Sequence, residues 1–282
     1  MTAADRLTAR IPWPFMVARR TAGNITAWIA AMGRPARVAL PRFWPPTSRL
    51  TIGTAATIVA VAIAMLFLDP LTVHARRLPL WVFVLFDEFT DFGKAGWVLL
   101  PTGMMLLALA AVASPALGRT SYLVLTSLVV RIGFVFVAVG LPSLVVTIVK
   151  RLIGRARPLR VDGYDIYFAP FSWRVDYASM PSGHSTTAFA TVVALGALFP
   201  RARIALWAYG ALIAASRVIL TAHYPSDVIA GAVVGGCGAV LIRAWFASRR
   251  LGFVLAPDGA VRVLPGPSLQ RIKKVARRLA SQ

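Results

Sequence analysis

The chain has 282 residues, 58% of them hydrophobic, and a formal net charge of +21. Soluble domains are about 45–50% apolar, so the excess argues against a large soluble core and for helices in lipid. The charge alone would suit nucleic acid, but the basic residues cluster outside the apolar runs, at the two ends. They read as cationic segments against anionic inner-leaflet lipid, and no nucleic-acid partner is expected. The single cysteine, Cys237, excludes an intrachain disulfide.

In chain order, residues 1–49 read as a basic cytoplasmic tail. It carries Arg6, Arg10, Arg19, Arg20, Arg34, Arg37, Arg42 and Arg49 against the lone acid Asp5, and prolines interrupt its short apolar stretches. No secretory signal is evident. Residues 50–246 read as a membrane domain, because a spanning helix needs about 20 mostly apolar residues and six runs approach that length. They cover residues 50–68, 96–113, 122–149, 184–199, 204–221 and 227–246. Pro142 predicts a kink in the third, and the fourth is short. Residues 78–86 are apolar but too few to span, and predict a re-entrant or interfacial helix. Residues 247–282 read as a second basic cytoplasmic tail. Within it Leu269, Ile272, Val275 and Leu279 fall at helical spacing among cations, as in a helix lying on the inner leaflet; a solvated tail is the alternative. The expected architecture is therefore all-α, an integral membrane helical bundle of six transmembrane helices with cytoplasmic N- and C-termini.

Loop charge agrees with that count. Both tails and the loops holding Arg119, Arg201 and Arg203 fall on one side. Eight of the ten acids, Asp69, Asp87, Glu88, Asp91, Asp162, Asp165, Asp176 and Asp227, fall on the other. One outer loop breaks the rule by opening with Lys150, Arg151, Arg155, Arg157 and Arg160. Positive charge on the wrong side implies an anionic substrate.

Three clusters on that outer side carry chemistry. Lys150 and Arg157-Pro158 end the third span. Pro181-Ser182-Gly183-His184 enters the fourth. Ser216-Arg217, His223 and Asp227 link the fifth to the sixth. Guanidinium groups match phosphate oxygens bidentately, and a turn leading into a helix offers free N–H groups to an anion. His223 attacks phosphorus in line to form a phosphohistidine, with Asp227, four residues on, orienting its ring. His184 protonates the leaving oxygen and then activates water. Lys150, Arg157, Ser182, Gly183 and Arg217 neutralise the remaining oxygens. No metal and no cofactor are called for: of the three histidines the third, His74, stands alone as a plain loop residue.

In order and internal spacing these clusters resemble the signature of the type 2 phosphatidic acid phosphatase superfamily: Lys-x6-Arg-Pro, Pro-Ser-Gly-His and Ser-Arg-x5-His-x3-Asp. Every signature position between Lys150 and Asp227 is filled. The resemblance implies metal-free dephosphorylation of a lipid phosphate or diphosphate, and the same histidine roles. It places the enzyme in a bacterial inner (plasma) membrane with its site facing the periplasm. Undecaprenyl diphosphate, phosphatidylglycerol phosphate, phosphatidic acid and lipid A phosphates, whether phospholipid or isoprenoid, all remain open as substrates. One other reading stays open: a phosphotransferase would pass the group to a sugar or lipid hydroxyl. The apolar spans argue against a vanadium haloperoxidase, which would hold vanadate in a similar pocket, and the intact pair of histidines argues against a non-catalytic protein that only binds or carries lipid. Oligomeric state is not readable.

The remaining features have plainer readings. Arg151, Arg155 and Arg160 attract either the substrate headgroup or only the membrane surface. Arg131, inside the third span, snorkels or finds an internal partner. Tyr164, Tyr167, Phe168, Phe171, Trp173 and Tyr177 form an interface belt or a lid. Gly231 and Gly235 suggest close helix packing. Residues 87–97 look similar to segments in bacterial members of the family, with no role derivable from the residues.

Overall fold

The computed structural model describes residues 13–37, 47–114, 117–158 and 166–280. Asp5, Arg6, Arg10, Arg42, Arg160, Asp162, Tyr164, Asp165 and the Arg49 side chain lie outside the described residues. The elements are α1 (Trp13–Met32), α2 (Thr47–Ile63), α3 (Thr72–Ala75), α4 (Leu80–Thr90), α5 (Gly96–Val112), α6 (Arg119–Ile153), α7 (Gly183–Leu198), α8 (Arg203–Ile219), α9 (Pro225–Ser248), β1 (Phe253–Leu255), β2 (Val261–Val263) and α10 (Leu269–Ala280).

Five of the six expected spans overlap, to within two residues at their ends, helices long and apolar enough to cross a membrane. The exception is α7. Its 16 residues reach about 24 Å at 1.5 Å per residue, short of a hydrocarbon core about 30 Å thick. It sits inside the bundle against α6, α8 and α9, and many of its residues are small and buried. The first span is not one regular helix. It passes from α2 through a widened turn at Ala64–Leu68 and a tight turn at Asp69–Leu71 into α3. The stretch read as too short to span is α4, which joins α5 through a tight turn at Asp91–Gly93, so that residues 80–112 form one apolar unit.

The core is built where α6, α7 and α9 meet. Phe134, Val135, Ala138 and Val139 pack with Ala190, Ala194, Ala239 and Phe246. Phe134 meets Phe246 edge-on at 5.3 Å and Phe253 at 4.6 Å. Gly231 and Gly235 do bring helices together: a Cβ there would stand 2.4 Å from Ser182 O and 2.1 Å from Thr186 O. Helix α6 runs unbroken past Pro142, against which Gly238 of α9 closes with room for a Cβ only 2.6 Å from the proline Cγ. On the outside, Ile52, Leu66, Phe67, Leu80, Trp81, Leu100 and Met104 are exposed, as side chains facing lipid would be.

The all-α expectation needs one correction. Pro257-Asp258-Gly259 turns β1 back on β2, an antiparallel pair in the register Phe253↔Val263. Gly259 adopts φ +78°, a conformation that glycine reaches without steric cost. The two end segments also fold onto the bundle. Helix α1 packs on α5, and its Asn24 donates to Ala110 O and Ala113 O at 2.8 Å. The apolar stripe of α10, Ile272, Val275 and Leu279, covers Val124 and Leu125 of α6. Arg131 finds its internal partners in Leu264 O at 2.7 Å and Ser127. Both end segments therefore gather where α5 and α9 end and α6 begins, opposite the three signature clusters.

Candidate active site

The ends of four helices supply the candidate residues. Gly154, at φ +67°, ends α6 and turns the chain back under the loop that follows. A Cβ at Gly154 would stand 1.8 Å from Ala169 O, so only glycine fits this crossing. The returning loop is laced to residues 154–157: Ala169 N donates to Gly154 O (2.7 Å), Ala156 N to Tyr167 O (3.0 Å) and Arg157 N to Asp176 O (2.9 Å). This lacing fixes where Arg155 and Arg157 point. The loop leaves Phe171 and Trp173 exposed.

Ser182 caps α7. Its buried hydroxyl accepts from Ser185 N at 3.5 Å and Ser185 Oγ at 3.2 Å, so its own proton remains to be donated. Its backbone N donates to Asp227 O at 2.9 Å, tying the start of α7 to the start of α9. A Cβ at Gly183 would come 3.2 Å from Lys150 Nζ, which brings the first and second clusters together at one point. His184, in the first turn of α7, packs on Gly93, where a Cβ would meet its Cδ2 at 2.9 Å. The charges of Arg217, Lys150 and Lys94 act on its ring, as does His223.

Arg217 lies near the end of α8. Its Nη1 donates to Thr90 Oγ1 at 2.6 Å, and Ser216 Oγ donates to the same hydroxyl at 3.0 Å. The stretch 87–97 thereby acquires a role: Thr90 anchors Arg217, and Gly93 makes room for His184. After α8 the chain turns through Thr221 at φ +49°, and His223 N returns to Arg217 O at 3.1 Å. The His223 ring is buried, and burial depresses its pKa to about 4; Asp227 opposes the shift, while Arg217 and Arg157 add to it.

His223 Nδ1 lies 3.7 Å from Asp227 Oδ2, too long for a hydrogen bond, and it has no other partner among the described residues. Such contacts are often long in unliganded sites and tighten around substrate. Asp227 itself is held from several sides. Ser179 Oγ and Tyr224 N donate to Oδ2 at 2.5 and 3.0 Å, and Arg155 Nη1 donates to Oδ1 at 2.7 Å.

All eight residues singled out in the sequence thus lie at one end of the bundle. Arg155 departs from its reading as a cation for headgroups or the membrane surface. It is 1% exposed, bridges Asp227 and Asp69, and lies 4.2 Å over the Tyr224 ring. Burial acts against its charge, but the two carboxylates more than offset this and hold its pKa above the ordinary value. Arg157 is shifted the other way, lowered by burial first and then by Arg151. Sequence reasoning missed Asp69, Thr90, Ser179 and Ser226. A carboxylate closing an apolar run is costly unless paired, and this was the available signal for Asp69. Among the described residues no three of His, Cys, Asp and Glu converge as a metal site.

Comparison with known proteins gives consistent matches. A family model described as the PAP2 superfamily matches residues 131–251. The Lipid A 1-phosphatase of Rhizobium etli is 40% identical over 215 residues, 74% of this chain and 91% of that protein. The Lipid A 1-phosphatase of Rhizobium johnstonii is 39% identical over 206 residues, 72% of this chain and 83% of that protein. The crystal structure of Aquifex aeolicus LpxE aligns at 21% identity with a TM-score of 0.42, over 59% of this chain and 88% of that one.

Proposed function

The chain belongs to the PAP2 superfamily, and from that premise we propose that this integral membrane lipid phosphatase removes the 1-phosphate of lipid A through a phosphohistidine on His223. The substrate follows the curated relatives, of which the chain covers most of the length. The observation that carries the mechanism is the buried His223 ring with its Nδ1 turned toward a fixed Asp227 carboxylate at 3.7 Å. That arrangement leaves Nε2 to act as nucleophile.

Nε2 attacks phosphorus, and the bond to the lipid oxygen breaks as the new P–N bond forms. His184 gives its proton to the departing oxygen. It then takes one from the water that attacks the phosphohistidine and releases inorganic phosphate. Lys150, Arg157, Arg217, the Ser182 hydroxyl and the Gly183 amide hold the equatorial oxygens. With fixed cations in that role, no metal is required. On this reading the chain crosses the inner membrane six times, with α7 buried in the bundle as the shortest crossing, so that the site faces the periplasm and both termini the cytoplasm. The arginine-rich end segments, gathered at the far end of the bundle, support that orientation.

The test is purified protein in detergent with lipid A bearing a 1-phosphate, with chelator present and no added acceptor. Inorganic phosphate release is expected. His223→Ala should lower kcat by at least about 10³-fold, as loss of a nucleophile does. Retained turnover in that variant sinks the phosphohistidine, chelator-sensitive turnover sinks the metal-free mechanism, and release only with an added hydroxyl acceptor indicates a phosphotransferase.

A further inference from the structure

The first span breaks its helix at Ala64–Leu68 and then tightens at Asp69–Leu71. The break has a buried consequence. Asp69, 0% exposed, reaches the start of α9, where its Oδ1 accepts from Ser226 N at 2.9 Å and its Oδ2 from Ser226 Oγ at 2.5 Å. The same Oδ2 accepts from Arg155 Nη2 at 2.8 Å. Arg155 in turn donates through Nη1 to Asp227 Oδ1 at 2.7 Å and Ser226 Oγ at 2.6 Å. A chain of charge therefore runs Asp69, Arg155, Asp227, His223, and its first two members stand outside the signature positions that hold phosphate.

We propose that Asp69 and Arg155 are positioning residues that hold the Asp227 carboxylate in place and keep it effectively negative toward His223. The inference rests on the reading of His223 as nucleophile.

The argument is one of charge count. An isolated Arg155–Asp227 pair would be neutral, and its cation would offset the charge Asp227 offers the imidazole. With Asp69 on the other side of the same guanidinium, one cation is shared by two carboxylates, and one net negative charge remains. The geometry serves the same end. Arg155 takes Oδ1, which turns Oδ2 toward the histidine, where Ser179 and Tyr224 N steady it. The remaining charged groups acting on His223 are cationic: Arg217 and Arg157. Lys150 also feels Asp227. In that field the leftover negative charge is what favours Nδ1–H and supports positive charge on the ring during attack.

The test compares Asp69→Asn, Arg155→Gln, Arg155→Lys and the double variant Asp69→Asn/Arg155→Gln with wild type, in detergent on the same lipid substrate. Asparagine keeps one acceptor, for Ser226 N, but sets a donor against Ser226 Oγ and Arg155 Nη2, so Asp69→Asn removes the charge together with those two bonds, and its kcat and acid limb are read beside its melting curve. Its kcat should fall about 10–100-fold, as for residues that orient a reacting group, with KM within about threefold. The acid limb of its kcat/KM profile should move to lower pH. The double variant removes one charge of each sign and restores one net negative charge at Asp227. Its kcat should exceed that of Arg155→Gln by about tenfold, the non-additivity expected of coupled neighbours. Arg155→Lys should fall between wild type and Arg155→Gln. Size-exclusion and melting behaviour identify any variant that fails to fold. If Arg155→Gln fails, Asp69→Asn and the double variant still decide.

Wild-type kcat and acid limb in Asp69→Asn, a loss in KM alone, or strictly additive losses in the double variant would overturn the proposal. An inactive His223→Ala beside an unimpaired Asp69→Asn defeats this inference only. An active His223→Ala defeats the nucleophile reading beneath it.

Discussion

The two ends of the bundle use arginine in opposite ways. At the end away from the site, Arg249 donates to Met32 O at 3.0 Å and Trp245 O at 3.3 Å, and Arg203 to Gly196 O at 3.1 Å. These carbonyls sit in the last turns of α1, α9 and α7, where helices leave acceptors unsatisfied and cations suit the dipole. At the site end, two buried arginines are placed by side chains. Arg155 is held by two carboxylates and Ser226, and Arg217 by Thr90. One end uses its cations to finish helices. The other fixes Arg155 and Arg217 against side chains. Both sets count equally in a net charge of +21, which is why composition alone cannot tell them apart.

The contrast predicts that arginine truncation separates activity from stability. Arg217→Ala should produce the larger effect of the two truncations, a loss of about 10²–10³-fold in kcat/KM, the range for removing a donor to developing charge. Thr90 keeps Ser216 Oγ as a partner at 3.0 Å, so the fold should survive. The measurement is phosphate release beside a melting curve in detergent. A variant that melts early but turns over normally per folded molecule would put Arg217 in the same class as Arg249.

A second expectation concerns pH. His223 is buried and its pKa is depressed to about 4, and attack needs the neutral ring. Above the ordinary imidazole value near 6.5, His223 is neutral folded or unfolded. Between there and about 4 the unfolded chain takes up the proton first, so stability falls with pH across that window. Activity follows the folded value. In unliganded enzyme, kcat/KM should show no acid limb from His223 near 6.5, and should fall about tenfold per unit only below about 4. His184, as the acid of the first step, would show instead as a basic limb that disappears in a His184 variant. An acid limb near 6.5 would mean the His223 ring is far better solvated than its burial implies.

Much of the helical layout was legible, because an apolar run of spanning length in lipid has few options besides helix. The eight candidate residues could be picked out because they lie in three short, strictly spaced segments. What escaped depended on chain reversal or on distant partners. Helix α1 was obscured by Pro14, read as a breaker, yet proline in a first helical turn costs no hydrogen bond. The hairpin follows from Pro257-Asp258-Gly259, a turn signal overlooked inside a basic segment. Arg155 was misread because its partner Asp69 lies 86 residues away, and no local periodicity records such a pairing. Thr90 was hidden for the same reason, 127 residues from the guanidinium it holds.

The smallest expected effect is also the sharpest check on the comparison. Arg249 bonds Met32 O and Trp245 O and lies 4.3 Å over the Trp245 ring, where it joins the end of α1 to the end of α9. Arg249→Ala removes charged hydrogen bonds worth about 1.5–3 kcal/mol before relaxation, at a place where water can replace part of them. The expected outcome is a melting temperature a few degrees lower, about 2–4 °C per kcal/mol by analogy with soluble domains of this size. Turnover per folded molecule should stay within about twofold of wild type, the scatter expected where no transition-state contact is lost. If kcat instead fell tenfold or more, the two ends would be coupled through α9, which starts just after His223, carries Asp227 in its first turn and is followed directly by Arg249. The site would then depend on how that helix is anchored at the opposite end.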